Sequence, residues 1–191
     1  GLGDVYKRQV SQIGTKKISG LFGLHPLPDF LFNTQYSDVD KVYAFNRVMK
    51  DVSMQEKPDV ILLGIPDSLL PLNNKHRFSF GLYAYEIFNA VQPDFVITSL
   101  MANNGYNDEF YSEISKMAKY KYNVNIDAYF VSQFCPLSNS IWSEKLSYVY
   151  LSRMELPKTE YKVYTTSDLN NDILFKQAEK KLLLYGKYEQ Y

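Results

Sequence analysis

Residues 64–77 form the segment with the most side chains suited to binding a ligand. The segment reads Gly-Ile-Pro-Asp-Ser-Leu-Leu-Pro-Leu-Asn-Asn-Lys-His-Arg and directly follows the apolar run 60–63. In open α/β sheets, ligands bind at the carboxyl ends of strands, and free N–H groups at the start of a helix attract anions. A solvated connection shaped by its prolines is the alternative, because loops are generally polar and exposed. The residues predicted to contact a ligand are Gly64, Pro66, Asp67, Ser68, Asn73, Asn74, Lys75 and Arg77.

The charges in this segment indicate which ligand it would bind. Lys75 and Arg77 favour an anion, such as a phosphate or a peptide carboxylate. Asp67 stands just past the strand, where an acidic side chain can hold Mg²⁺. The 191 residues contain no Gly-x-x-x-x-Gly-Lys-Ser/Thr phosphate loop, so the chain alone does not carry a complete NTPase site. The cofactor is left open, with a nucleotide and Mg²⁺ as the candidate if upstream residues supply that loop.

Three further positions carry polar or reactive side chains. Asn103 follows a second apolar run and is either part of a turn or a member of the same ligand edge. His25 is one of two histidines and has no carboxylate cluster nearby in sequence, which favours a packed or capping role over metal binding. Cys135 has no neighbouring histidine, which favours a small buried hydrophobe over a nucleophile. No metal site is predicted, and catalytic residues are not assigned.

Composition excludes several classes of protein. The chain has 21 basic and 21 acidic residues, so it lacks the positive charge expected of a protein that binds nucleic acid or an anionic membrane. No apolar run is long enough to cross a bilayer. The single cysteine excludes an internal disulfide. We expect a cytoplasmic protein with neither a nucleic-acid nor a membrane partner.

The opening residues 1–9 are predicted to be an artefact. Gly-Leu-Gly-Asp-Val-Tyr-Lys-Arg-Gln is the in-frame translation of a transposase sequencing adapter, as occurs in a metagenomic fragment. Such processing scars are excluded from fold reasoning. The natural sequence is then expected to start near Val10, inside a gene whose upstream part is missing. Residues 10–191 are predicted to form one α/β domain that is incomplete at its amino-terminal end.

Two segments with the same pattern predict a parallel sheet. Residues 57–63 and 92–98 each follow a helical pattern, contain Pro-Asp and continue as an apolar, β-branched run. Proline ends the preceding helix, and such runs are typical of strands buried on both faces. Further strands are predicted at 124–131, 146–151 and 161–165. The order of elements predicts a three-layer α/β/α Rossmann-like sandwich with a mainly parallel sheet.

Helix starts are predicted from capping residues. Ser37, Ser79 and Asn107 are each placed to cap a helix. The first helix is expected to bury Val42, Phe45, Met49 and Val52. The second is expected to bury Phe80, Ala84, Ile87, Phe88 and Val91, and the third Phe110, Ile114, Met117 and Ala118. A closing helix is predicted over 167–185, ended by Gly186.

Several segments together resemble one family. They are Val-Ser-Gln-Ile-Gly at 10–14, Leu-Phe-Gly-Leu-His with Pro-Asp-Phe at 21–30, Pro-Asp-Val-Ile-Leu-Leu-Gly-Ile-Pro at 58–66, and the stretch from Phe-Gly to Gln-Pro-Asp at 80–94. The match continues through Lys-Tyr-Lys-Tyr at 119–122 and Asp127. In these segments the chain resembles the bacterial peptide maturation system proteins, which are encoded beside ribosomally synthesised natural-product peptides.

The resemblance implies a relationship to P-loop NTPase folds, with the phosphate-loop part upstream of the Val-Ser-Gln-Ile-Gly strand. Where the family pattern has Gly-Gly after Gly-Ile-Pro, this chain has Asp67-Ser68. Side chains at these positions obstruct a close approach of backbone to phosphate. The family implies a pathway rather than a reaction, so whether the protein is an enzyme is left undecided.

Three hypotheses about function follow. The first is an accessory protein of peptide maturation, nucleotide-dependent, that handles a precursor peptide or a partner enzyme. The second is a stand-alone α/β enzyme or small-molecule binder using the loop 64–77, with a pocket around Gly64, Asn73 and Asn103. The third is an interaction module with an exposed aromatic patch around Trp142, Tyr148 and Tyr150, for which core packing is the default expectation.

Overall fold

The computed structural model describes residues 9–169 and 172–185 of the chain. The chain divides into two compact units, 1–92 and 93–191. Residues 1–8 of the predicted adapter sequence and the predicted helix stop at Gly186 lie outside the described residues.

Unit 1 is built on a three-stranded parallel sheet. The strands are β1 (Val10–Gly14), β2 (His25–Pro26) and β3 (Val60–Leu63), in the order β2-β1-β3. Val10 pairs with Val60, and Ile13 pairs with Leu63. The same unit contains two α-helices, α1 (Asp38–Glu56) and α2 (Leu82–Ala90). The strand predicted from the first Pro-Asp segment is therefore confirmed.

Helix α1 forms as its sequence predicts. The Ser37 side chain accepts a hydrogen bond from the Asp40 backbone N–H at 3.2 Å, which satisfies one free donor of the first turn. Phe45 is fully buried. The helix ends where Lys57 takes a left-handed conformation (φ 48°) directly before Pro58. Phe45 packs with Ile13 of β1 and Ile87 of α2 in the core of this unit.

The start of α2 differs from the prediction. Ser79 does not cap this helix, because it has φ 51° and lies inside a short 3-10 helix, Phe78–Gly81. A capping residue has an extended backbone, which this φ excludes. Helix α2 instead begins at Leu82, after Gly81 with φ 75°. The Phe80 side chain, predicted to be buried, is 53% exposed and lies beneath the Arg77 guanidinium at 5.5 Å.

Unit 2 contains a second parallel sheet and a hairpin. The sheet has the order β4-β5-β8, and β6 pairs antiparallel with β7. The strands are β4 (Ile97–Leu100), β5 (Ala128–Val131), β6 (Phe134–Pro136), β7 (Tyr148–Tyr150) and β8 (Val163–Tyr164). The helices are α3 (Asp108–Tyr122), α4 (Thr166–Leu169) and α5 (Ile173–Tyr185). The predicted single closing helix is thus divided into α4 and α5.

Helix α3 confirms its predicted cap, and its end explains a shortened strand. Asn107 Oδ1 accepts from the Phe110 N–H at 2.9 Å, and Asn123 ends the helix in a left-handed conformation (φ 57°). The Val124 N–H then donates to Ala118 O at 3.4 Å. Because Val124 belongs to this closing turn, the strand predicted from residue 124 begins only at Ala128.

Tyrosines fill the core of unit 2. Tyr111 and Tyr129 are 1% and 2% exposed, and their ring centres lie 4.8 Å apart. The Tyr129 hydroxyl donates to Tyr111 O at 3.0 Å and lies 2.7 Å from Ser115 Oγ. Burial raises the pKa of both phenols, and it raises the pKa of nearby Tyr106 to about 12. The phenols therefore stay neutral and act as packing groups with a polar end.

The α/β class with mainly parallel strands is confirmed. The Rossmann-like three-layer arrangement and the single domain over 10–191 stay predictions. None of the described helices combines the length and the apolar character needed to span a membrane.

Candidate functional site

A cleft of about 430 Å³ opens at the carboxyl ends of β1 and β3. It lies where the sequence places ligand binding in a parallel sheet. Most of its polar side chains belong to the segment that follows β1, and the same segment also contributes apolar side chains. Its lining includes Gln12, Gly14, Thr15, Lys16, Ser19, Gly64, Ile18, Phe22, Leu24 and Leu62.

Two glycines let the chain segments of the cleft approach one another. A Cβ atom added to Gly14 would lie 2.3 Å from Ser19 Oγ, and one added to Gly64 would lie 2.9 Å from Thr15 Cγ2. The Gly64 N–H donates to Ile13 O at 2.9 Å, which continues the pairing of β3 with β1. The absence of a Cβ at these two positions therefore leaves room for the Ser19 and Thr15 side chains.

The polar groups of the cleft suit a negatively charged ligand. Thr15 and Lys16 are exposed, whereas Ser19 is 8% exposed. The Lys16 ammonium makes no ion pair with a described residue. One cation and two hydroxyls around glycine backbone can bind a phosphate or a carboxylate.

Of the residues predicted from the loop 64–77, Gly64 alone lines this cleft in the described part of the chain. Pro66 and Asp67 follow it, and Asp67 takes a left-handed backbone conformation (φ 67°) with an exposed side chain. Ser68 Oγ donates to Leu70 O at 2.7 Å. The first half of the loop is therefore stabilised by a hydrogen bond between residues of the loop itself.

The second half of the loop is held by its asparagines. Asn73 Oδ1 accepts from the backbone N–H groups of Lys75 and His76, each at 2.8 Å. Arg77 Nε donates to Asn74 O at 2.9 Å. Lys75 and Arg77 are exposed, and both precede the first residue of α2 by several positions. The predicted combination of these charges with a helix start at Ser79 is therefore wrong, because the helix begins later.

Asn103 belongs to unit 2 and closes a turn. Its Oδ1 accepts from the Gly105 N–H at 2.7 Å, which is a local Asx turn after β4. This geometry agrees with the turn interpretation of the sequence. It leaves the predicted ligand contact of Asn103 untested.

A second polar cluster lies on the strands of unit 1 and was not predicted. Glu56, the last residue of α1, accepts a hydrogen bond from the Ser11 hydroxyl, and its Oε1 lies 2.5 Å from His25 Nε2. The Ser11 hydrogen bond, followed by the His25 hydrogen bond and charge, lowers the pKa of Glu56. Because the carboxylate separates Ser11 from His25, the imidazole does not activate the hydroxyl as in a nucleophile–base pair. The cluster joins β1 and β2 to the end of α1.

Glu56→Gln is expected to remove a pH-dependent part of the stability of unit 1. A carboxyl whose pKa is lowered by folding stabilises the folded state above its unfolded pKa. That contribution is lost as pH falls through the folded pKa. Urea unfolding of the wild type and Glu56→Gln at pH 7 and at pH 3 should therefore show a difference at pH 7 that shrinks at pH 3. A difference that stays constant between the two pH values would contradict this role of the carboxylate.

The remaining sequence candidates lie in and beside the hairpin of unit 2. Cys135 is half-buried in β6, with its Sγ 3.7 Å from Pro136 O. Trp142, Tyr148 and Tyr150 are 69%, 48% and 57% exposed, so their predicted core packing is wrong. The hairpin contributes these rings to the surface instead. Within the described ranges, no group of three or more His, Cys, Asp or Glu side chains is placed to hold a metal ion.

Comparisons of the chain with protein-family models, with curated proteins and with solved structures give no match.

Proposed function

We propose that the protein is an accessory component of a bacterial peptide maturation system and binds an anionic group in the cleft at the carboxyl ends of β1 and β3. The bound group is the phosphate of a nucleotide or the carboxylate of a peptide. The protein acts in the cytoplasm on a precursor peptide or on a maturation enzyme, and its topology is Rossmann-like and related to P-loop NTPases. The observation that carries the binding proposal is the Lys16 ammonium, which lines the cleft with Gly14 and Gly64 and makes no ion pair with a described residue. The pathway rests on the family resemblance of residues 10–139.

The apolar side chains that line the cleft favour a nucleotide over a bare anion. Ile18 and Phe22 are 54% and 74% exposed and line the same cleft as Lys16. Ligand sites commonly combine an apolar wall with a few polar groups that fix orientation. A base or ribose against Ile18 and Phe22, with a phosphate at Lys16 and Ser19, uses both parts of the lining.

The alternative is a stand-alone α/β enzyme or small-molecule binder that uses the loop 64–77. It is favoured by the fact that Gly64 belongs both to this loop and to the cleft. In that case Lys75 and Arg77 hold the anion, and Asp67 is the residue that would hold Mg²⁺. Substitution of Lys16 in the cleft and substitution of Lys75 and Arg77 in the loop distinguish the two proposals.

Titration calorimetry with Mg·ATP and with inorganic phosphate tests the proposal. Lys16→Ala should weaken binding by about 1.5–3 kcal/mol, because a charge-assisted hydrogen bond is lost. The matched control is Lys50→Ala, an exposed lysine of α1 that does not line the cleft. This control should bind like the wild type.

The same titrations define the contradicting result. If Lys75→Ala with Arg77→Ala weakens binding and Lys16→Ala does not, the alternative is correct. A wild type that binds neither ligand, nor a precursor peptide, contradicts the binding proposal. For the pathway, the complete gene should lie beside a short precursor-peptide gene and a modifying enzyme or transporter, and central-metabolism neighbours would contradict it.

A further inference from the structure

We infer that Gln12 of β1 reads the base of the nucleotide bound in the cleft, and that this base is adenine. The inference rests on the nucleotide form of the proposed function and adds to it the identity of the base. The observation that carries it is a half-buried amide that lines the cleft together with apolar side chains and makes no hydrogen bond to a described residue.

Strand geometry directs the Gln12 side chain into the cleft. Its neighbours on β1, Ser11 and Ile13, are 4% and 1% exposed, and Ile13 belongs to the core that α1 and α2 cover. Because successive side chains of a strand point to opposite faces of the sheet, Gln12 lies on the other face. Leu62, its partner on β3, is 50% exposed and also lines the cleft. This face of the sheet therefore presents an amide beside an apolar surface.

The amide is separated from the groups that bind the anion. Among the described residues, Gln12 is the only polar side chain that the strands contribute to the cleft, since Thr15, Lys16 and Ser19 all follow β1. Gln12 precedes Gly14, the last residue of β1, by two positions, which is roughly 7 Å along a strand. A phosphate at Lys16 and Ser19 therefore leaves space for a ribose between the phosphate and a base at Gln12.

A single amide matches the edge of adenine. The Gln12 side chain offers N–H donors on its nitrogen and an acceptor on its oxygen. Adenine presents its N6 amino donor next to a ring-nitrogen acceptor, so the amide can satisfy that edge with two hydrogen bonds. The corresponding edge of guanine carries three polar groups, O6, N1–H and the N2 amine. One amide pairs with two of them, and a polar group left unpaired among apolar side chains weakens binding.

The apolar part of the lining suits a purine rather than a pyrimidine. Ile18, Phe22 and Leu24 line the cleft with Leu62, and the Ile18 and Phe22 side chains are more than half exposed. A two-ring base covers more of this surface than a one-ring base does, and an aromatic side chain such as Phe22 can stack on it. Gln12 then decides between the two purines.

Titration calorimetry of the full chain with Mg·ATP, Mg·GTP and inorganic phosphate tests the inference. The wild type should bind Mg·ATP at least about tenfold more tightly than Mg·GTP, the usual discrimination of a two-hydrogen-bond contact to a base. Gln12→Ala should weaken the binding of Mg·ATP and remove the preference. Gln12→Glu should invert the preference, because a carboxylate accepts from both N1–H and the N2 amine of guanine and repels the acceptor nitrogen of adenine.

The matched control is Gln35→Glu, which makes the same change at an exposed glutamine of unit 1 that does not line the cleft. It should keep the wild-type preference for Mg·ATP. The inference is overturned if the wild type binds the two nucleotides equally, or if Gln12→Glu keeps the preference for adenine. Binding of inorganic phosphate by the wild type reports on the anion site alone. Phosphate binding without a preference for Mg·ATP overturns the role of Gln12 and leaves the proposed function intact, whereas a wild type that binds none of the three ligands contradicts the nucleotide form of the proposal as well.

Discussion

Lys41→Met is expected to destabilise the protein by about 3–5 kcal/mol, the usual effect of leaving one member of a buried ion pair without its partner. Lys41 Nζ lies 3.1 Å from Glu86 Oε1, and the two side chains are 8% and 0% exposed. The pair joins α1 to α2. Glu86 Oε2 is also buried and has no hydrogen-bond partner among the described residues. Removal of Lys41 would therefore leave a buried carboxylate with neither a cation nor a donor on its inner oxygens.

The loss of stability in Lys41→Met should depend on pH. Burial already raises the pKa of Glu86 and outweighs the lowering effect of Lys41. Without Lys41 that pKa rises further, and a carboxyl with a raised pKa loses its contribution to stability as pH rises through it. Urea unfolding should therefore show a larger defect at pH 8 than at pH 5.

Two variants control the interpretation of Lys41→Met. Lys50→Met, at an exposed position of the same helix, should change stability by less than about 0.5 kcal/mol. Lys41→Met combined with Glu86→Leu removes both charges and should recover most of the loss. If Lys41→Met alone is as stable as the wild type, the ion pair between Lys41 and Glu86 contributes nothing to the packing of α1 on α2.

Tyr111→Ala is expected to cost about 3–5 kcal/mol, the usual penalty for truncating a buried aromatic side chain. Tyr111 is 1% exposed, and its ring contacts those of Tyr106, Phe110, Tyr129 and Tyr161, with the ring centres 4.8–6.1 Å apart. Truncation opens a cavity at the centre of this cluster and removes the edge-to-face and tilted ring contacts.

Near-ultraviolet circular dichroism and urea unfolding measure the effect of Tyr111→Ala. The control is Tyr120→Ala on the same helix, where the side chain is 83% exposed. This control should retain wild-type stability within about 0.5 kcal/mol. Equal stability of the two variants would contradict the central place of Tyr111 in the core of unit 2.

Local signals in the sequence predicted the elements whose ends are set by local contacts. Ser37 and Asn107 cap helices as expected, because a cap needs only a side chain and an N–H three residues away. Ser79 has the same residue type but not the same surroundings. There the chain takes left-handed conformations at Ser79 and Phe80, and no periodicity in the sequence indicates such a turn.

Contacts between residues that are far apart in the sequence could not be predicted from it. Ser11 and Lys41 each meet their acidic partner 45 residues away, so neither pair leaves a spacing signal. The polar side chains that line the cleft, in contrast, could have been predicted from the sequence. Gly14 is the last residue of β1 and Gly64 directly follows β3, so ligand binding at the carboxyl ends of strands predicts Thr15 and Lys16 as well as the residues after Gly64.

The most direct test of the account locates the anion on the chain. Backbone amide chemical shifts of the full chain should be recorded by nuclear magnetic resonance during titration with inorganic phosphate. The largest changes are expected at residues 14–19 and Gly64, with smaller changes at residues 73–77. Largest changes at residues 73–77, or no change anywhere, would contradict a binding site in the cleft between β1 and β3.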